Sequence, residues 1–128
     1  MSDFNFKNAV FRVASTCEVQ RVQLSALPHN PPRGGPQWGV ASDDLNATLL
    51  SWPQGAGVAY HTNDEVDVVM ICVEGEGTVG VDGADFSLQS GDALLIPKGC
   101  ARSIQSSSPL FRYFSVHKKR RGLMPVVK

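Results

Sequence analysis

The chain has no long apolar run. Its longest charge-free apolar stretch is VVMICV, residues 68–73, and a membrane-spanning helix needs about 20 such residues. It also has no net charge: 12 Lys and Arg balance 12 Asp and Glu. That removes any overall attraction to nucleic acid or to an anionic membrane, and it leaves little charge repulsion against self-association. Cysteine is scarce. Cys17, Cys72 and Cys100 are odd in number and form no CxxC pair, which argues against a disulfide framework; Cys72, inside the apolar run, reads as a small hydrophobe. At the N-terminus, MSDFNFKNAVFRVAS sets acidic and amide residues where a secretory peptide needs an apolar block. The expectation is a reduced, cytoplasmic protein. Long helices have little room, because 12 Gly and 8 Pro punctuate the sequence.

What is present is a series of short segments rich in Val, Leu, Ile and Phe. VQRVQL (19–24), NATLLSW (46–52), VDVVMICV (66–73), GTVGV (77–81), DFSLQ (85–89), DALLIP (92–97) and LFRYFSV (110–116) all read as strands. Asp82-Gly83 between two of them predicts a two-residue hairpin, since a type I′ turn requires positive φ at both central positions. Gly91-Asp92 and Pro97-Lys98-Gly99 supply further turns. Many short strands at even spacing predict a sandwich or barrel. The stretch PHNPPRGGPQWG (28–39) is too rich in Pro and Gly for regular structure and reads as an ordered loop. KKRRGLMPVVK (118–128) reads as a solvated basic tail. A length of 128 residues fits one domain, divided into N-terminal strands and loop (1–44), barrel core (45–117) and tail (118–128).

The chemistry concentrates in HTNDEVD, residues 61–67. Gly55 is followed after five residues by His61, then Asn63, and Gly75 closes the block; Gly91 is followed after five by Pro97, then Gly99 and Arg102. These two blocks resemble the cupin superfamily, whose first motif is G-x5-H-x-H-x(3,4)-E-x6-G and whose second is G-x5-P-x-G-x2-H-x3-N. The resemblance covers roughly residues 45–117. It implies an all-β fold, a cupin-type double-stranded β-helix or jelly-roll barrel, with a pocket inside. The family's metal is held by two first-motif histidines, a glutamate and a second-motif histidine. Carried over one by one, these positions hold His61, Asn63, Val68 and Arg102. Only the first keeps a usual ligand. A transition metal needs three or four N, O or S donors at about 2.0–2.3 Å, and a guanidinium beside them opposes a cation. Arginine suits a carboxylate or phosphate instead.

Three readings follow. The first is a barrel binding a small organic, possibly anionic, ligand without the usual metal centre and with no cofactor. His61, Asn63 and Arg102 are its polar contacts, Val68 and Met70 its apolar floor, and Tyr60 lines it; Trp52 and Tyr113 either line it or are plain core. The second is an enzyme: a metal-independent isomerase or epimerase with His61 as catalytic base, or an atypical oxygenase whose divalent transition metal sits on a rebuilt set of His61, Glu65, Asp67 and His117. The third is an interaction protein whose interior is filled by Val, Met and Phe. The resemblance also implies a homodimer, with the N-terminal third pairing onto a second subunit's sheet. Neither nucleic acid nor membrane is expected as a partner.

Overall fold

A computed structural model describes residues 10–13, 17–28 and 34–119. Its strands are β1 (Val10–Val13), β2 (Gly35–Ala41), β3 (Leu45–Pro53), β4 (Gly57–Thr62), β5 (Val68–Glu74), β6 (Glu76–Val81), β7 (Ala84–Gln89), β8 (Ala93–Ile96), β9 (Ala101–Ser106) and β10 (Leu110–Lys118), with one 3₁₀ turn at Leu24–Ala26. They form a six-stranded sheet, β1-β2-β3-β10-β5-β8, and a four-stranded sheet, β4-β9-β6-β7. All ladders are antiparallel except β1 on β2. Together the sheets make a cupin β-barrel. No helix among the described residues is long and apolar enough to cross a membrane.

Most of the expected strands are present. The Asp82-Gly83 turn has φ of 49° and 90°, both positive as a type I′ hairpin requires. Asp82 also ties this turn to β9, because its Oδ1 accepts from the Ala101 N–H at 2.8 Å.

Other expectations are corrected. Residues 19–23 form no ladder; Val19 is 89% exposed, so the segment has no buried face to hold it in a sheet. Part of the 28–39 stretch is β2, not loop. Pro36 enters that strand where the ladder shifts register between Pro36 and Trp38, one of the few places a sheet tolerates proline. Residues 29–33 and 120–128 lie outside the described residues. Strands β1, β4 and β9 were not read as such; in β4 a bulge between Val58 and His61, and in β9 the polar Arg102 and Ser106, hide the alternation.

Residues directly opposite each other in an antiparallel pair share a face, so the registers assign every side. The core takes Leu50, Trp52, Val68, Met70, Cys72, Phe111 and Tyr113 from the larger sheet, and Val79, Leu88 and Ile104 from the smaller. Gly77 lies beneath Phe111: a Cβ there would fall 2.3 Å from the ring, so only glycine lets the ring settle onto β6. Burial of Phe111 (0%) and Tyr113 (2%) contributes about 1.5–3 kcal/mol for each ring.

The two outer faces differ. Thr78, Gly80, Asp85, Ser87, Ser103 and Gln105 make the smaller sheet's outer face polar or small. The larger sheet turns out Val69, Ile71, Leu95, Phe114 and Val116. Arg112 also lies on that outer face yet is fully buried. Its Nε and Nη2 donate to Glu74 Oε1 at 3.0 and 2.7 Å, and its Nη1 donates to Leu27 O at 3.1 Å. This charge-assisted cluster fastens the 24–27 turn across the sheet.

Candidate functional site

On β3 and β10 the inward positions are Asn46, Thr48, Leu50 and Trp52, paired in register with His117, Ser115, Tyr113 and Phe111. Each strand therefore changes from apolar to polar along its inner face, and the two change together. Leu50, Trp52, Phe111 and Tyr113 are buried. Asn46, Thr48, Ser115 and His117 are part-exposed, although they face inward on central strands. Solvent reaches the interior at that end.

The smaller sheet contributes at the same end. His61 stands opposite Arg102, and Arg102 opposite Val81; Val81 packs on the core, so all three share the inner face. The loop of residues 63–67 joins the end of β4 to the start of β5, and residues 97–100 join the end of β8 to the start of β9. Gly99 N–H donates to Asn63 O at 2.7 Å. Arg102, only 4% exposed, donates from Nε to Cys100 O at 3.4 Å and from Nη2 to Pro97 O at 3.3 Å. It thus links the two sheets across the barrel end.

Asn63, 7% exposed, makes the turn into β5. Its Oδ1 accepts from the N–H groups of Glu65 (2.9 Å) and Val66 (3.4 Å). This fixes which way the amide points. Its Nδ2 is then buried with no hydrogen-bond partner among the described residues, as is Asn46 Oδ1. Buried polar groups need partners, so Asn63 Nδ2 fits an acceptor and Asn46 Oδ1 a donor.

Both histidines are oriented by main-chain carbonyls. His61 Nδ1 lies 3.0 Å from Ala59 O, and His117 Nδ1 lies 2.8 Å from Lys118 O. A carbonyl oxygen only accepts, so Nδ1 carries the hydrogen in each neutral ring and Nε2 carries the lone pair.

The remaining expected site residues are distributed as follows. Val68 and Met70 face inward but are closed into the core at 6% and 2% exposure. Trp52 and Tyr113 are core as well, joined by an indole N–H donated to the phenol oxygen at 3.1 Å. Tyr60 lies on the outer face of the smaller sheet. A Cβ on Gly80 would meet its hydroxyl at 2.6 Å and Ser103 Oγ at 2.8 Å, because the β4 bulge inserts an extra residue and turns Tyr60 outward. The rebuilt metal set is not assembled. Glu65 and Asp67 precede β5 and share no strand face; Asp67 Oδ1 accepts from the Lys98 N–H at 2.9 Å. Among the described residues no three His, Cys, Asp or Glu side chains converge on a metal position, so the residues present do not fit the family's metal. Asn46, Thr48 and Ser115 were not anticipated. Their signal was parity, since they occupy the same alternate positions as Leu50, Trp52 and Tyr113.

Comparison with known proteins places this geometry in a family. The AraC-like ligand binding domain matches residues 48–117, more than half of the chain. Similar solved structures include KdgF from Halomonas sp. (23% identity, TM-score 0.65, covering 74% of this chain and 86% of that one). An RmlC-like cupin from Shewanella frigidimarina is similar at 20% identity and TM-score 0.63, with 76% and 87% covered. The cupin domain of Cnp3 from Schizosaccharomyces pombe is similar at 15% identity and TM-score 0.66, with 79% and 69% covered. Among curated proteins no significant match was found. The chain belongs to the family of AraC-like ligand binding domains, a cupin-type domain.

Proposed function

We propose that this AraC-like ligand binding domain holds a small organic anion bearing hydroxyl or amine groups at the polar end of its barrel, with no resident metal. The carrying observation is the in-register change from Leu50, Trp52, Phe111 and Tyr113 to Asn46, Thr48, Ser115 and His117. An apolar floor with a few convergent polar groups is what a small ligand needs. Arg102 supplies the fixed positive charge. His61 Nε2 accepts from the ligand's donors, and the side chains of Asn63, Asn46, Thr48, Ser115 and His117 complete the polar lining. In this reading the protein works as a homodimer in the reducing cytoplasm, where its cysteines are free thiols.

The test is a panel of small carboxylates and phosphates screened by thermal shift and calorimetry. A bound compound should lose about ten- to a hundredfold in affinity in Arg102→Gln, as expected for loss of a charge-assisted contact. Binding indifferent to Arg102→Gln, or no binding by any member of the panel, overturns the reading. Near-stoichiometric metal in the purified protein that His61→Ala removes overturns the metal-free part alone.

The orientation of His61 favours a second reading, that of a general base. Its Nδ1–H is anchored on Ala59 O, which leaves Nε2 to take a proton from a carbon of the bound anion, as an isomerase or epimerase requires. Exchange of that hydrogen for deuterium in heavy water, lost in His61→Gln, is the expected signature. An identified ligand whose carbon-bound hydrogens stay unexchanged sinks it.

A further inference from the structure

Among the described residues, four strands lie at sheet edges: β1 and β8 in the larger sheet, β4 and β7 in the smaller. Proteins protect such edges with bulges or charges. β4 has its bulge between Val58 and His61, and β7 carries Asp85. β8 has neither device and is guarded only by its length of four residues and by Pro97 after it. Its sequence is Ala-Leu-Leu-Ile, and Leu95 is 61% exposed. Leu95 stands opposite Val69, and Ala93 opposite Ile71; Val69 and Ile71 are 38% and 37% exposed. An apolar patch therefore runs from the middle of β5 to an edge with no charge or bulge within the strand, while the smaller sheet's outer face is polar or small apart from Tyr60.

The backbone at this edge has a defined phase. Asp92 O accepts from Cys72 N at 2.8 Å, so by the period-two rule Leu94 turns its main-chain groups toward β5, and Ala93 and Leu95 turn theirs outward. The flanks carry opposite charges, Asp92 before the strand and Lys98 just beyond it. A two-fold axis on Leu95 sets Leu95 against its own copy, Leu94 against Ile96, Ala93 against Pro97 (which accepts there but has no N–H to donate), and Asp92 against Lys98 in both directions. Centring on Ala93 sets Asp92 against Leu94 and loses that match. The strand is self-complementary in one register, with charge matching fixing the register and the two Leu95 side chains meeting at the axis.

We infer that β8 is the homodimer contact of this protein, pairing antiparallel with β8 of a second copy about a two-fold axis at Leu95. The inference rests on the homodimer reading above and specifies its surface. It is a different surface from the N-terminal third that the resemblance implies, whose strand β1 is also at an edge.

Light scattering after size-exclusion chromatography, over a concentration series of the full chain, tests it. Wild type should be a dimer. Leu95→Lys places a charge on the axis at an exposed position and should raise the dimer dissociation constant at least tenfold with the melting temperature of the monomer retained. Lys98→Glu should weaken the dimer severalfold, and adding Asp92→Lys should recover it. Asp92 also accepts from Gln89 N–H, so melting curves accompany the double variant. A dimer unchanged by both Leu95→Lys and Lys98→Glu overturns the surface and leaves the homodimer standing. Wild type that is monomeric at every concentration overturns both.

Discussion

The two ends of the barrel are built from the same pair of strands and do opposite things. At one end Trp52 and Phe111 face each other beside Leu50 and Tyr113, and water is excluded. At the other, Thr48 and Ser115, then Asn46 and His117, face each other on the same inner side, and the interior is wet. The backbone does not change between them, since the ladder runs unbroken from Lys118 opposite Leu45 to Leu110 opposite Pro53. Only side-chain chemistry changes. Stability and binding are thus written at different heights of one sheet, and each can be altered with little effect on the other.

That separation sets the scale of several expected effects. The largest belongs to the apolar end. Phe111→Ala empties a fully buried site and should lower unfolding free energy by about 3–5 kcal/mol, read from urea denaturation. A loss below 1 kcal/mol would mean that this end is not the stabilising one. Alkaline pH should come next. Burial holds the Cys72 thiol up at about 11 against an ordinary 9.0, and burial also pushes the Tyr113 phenol up, despite the bond from Trp52. The unfolded chain ionises first, so stability is complete below about pH 9 and falls as pH rises through about 11. Urea midpoints across that window should decline, and less steeply in Cys72→Val. An unchanged slope in that variant would assign the effect elsewhere. The smallest effect belongs to the polar end: Thr48→Val and Ser115→Ala at part-exposed positions should each stay within about 0.5 kcal/mol in stability while weakening ligand binding. A large stability loss from either would erase the distinction between the ends.

Much of the architecture was legible in the sequence. The apolar segments from NATLLSW onward and the Asp82-Gly83 turn report local rules, periodicity and positive φ, that need no neighbours. The glycine and proline framework around His61 and Arg102 marked the cupin barrel. β2 was hidden by Pro36 and its glycines, and β9 by Arg102, whose inward placement at 4% exposure only the opposing sheet explains.

The site divides in the same way. Sequence alone placed His61, Asn63 and Arg102 at the pocket positions and showed that the usual metal ligands are missing. Tertiary structure decided the rest. It turned Tyr60 outward through a bulge, closed Val68 and Met70 into the core, kept Glu65 and Asp67 off a common strand face, and brought in Asn46, Thr48 and Ser115 beside His117. The physical reason is that residue type and spacing act along the chain, whereas register acts between strands. Which side chains share an interior face at one height of a barrel is fixed only when Asn46 finds His117 and Arg102 finds His61 across hydrogen-bonded ladders.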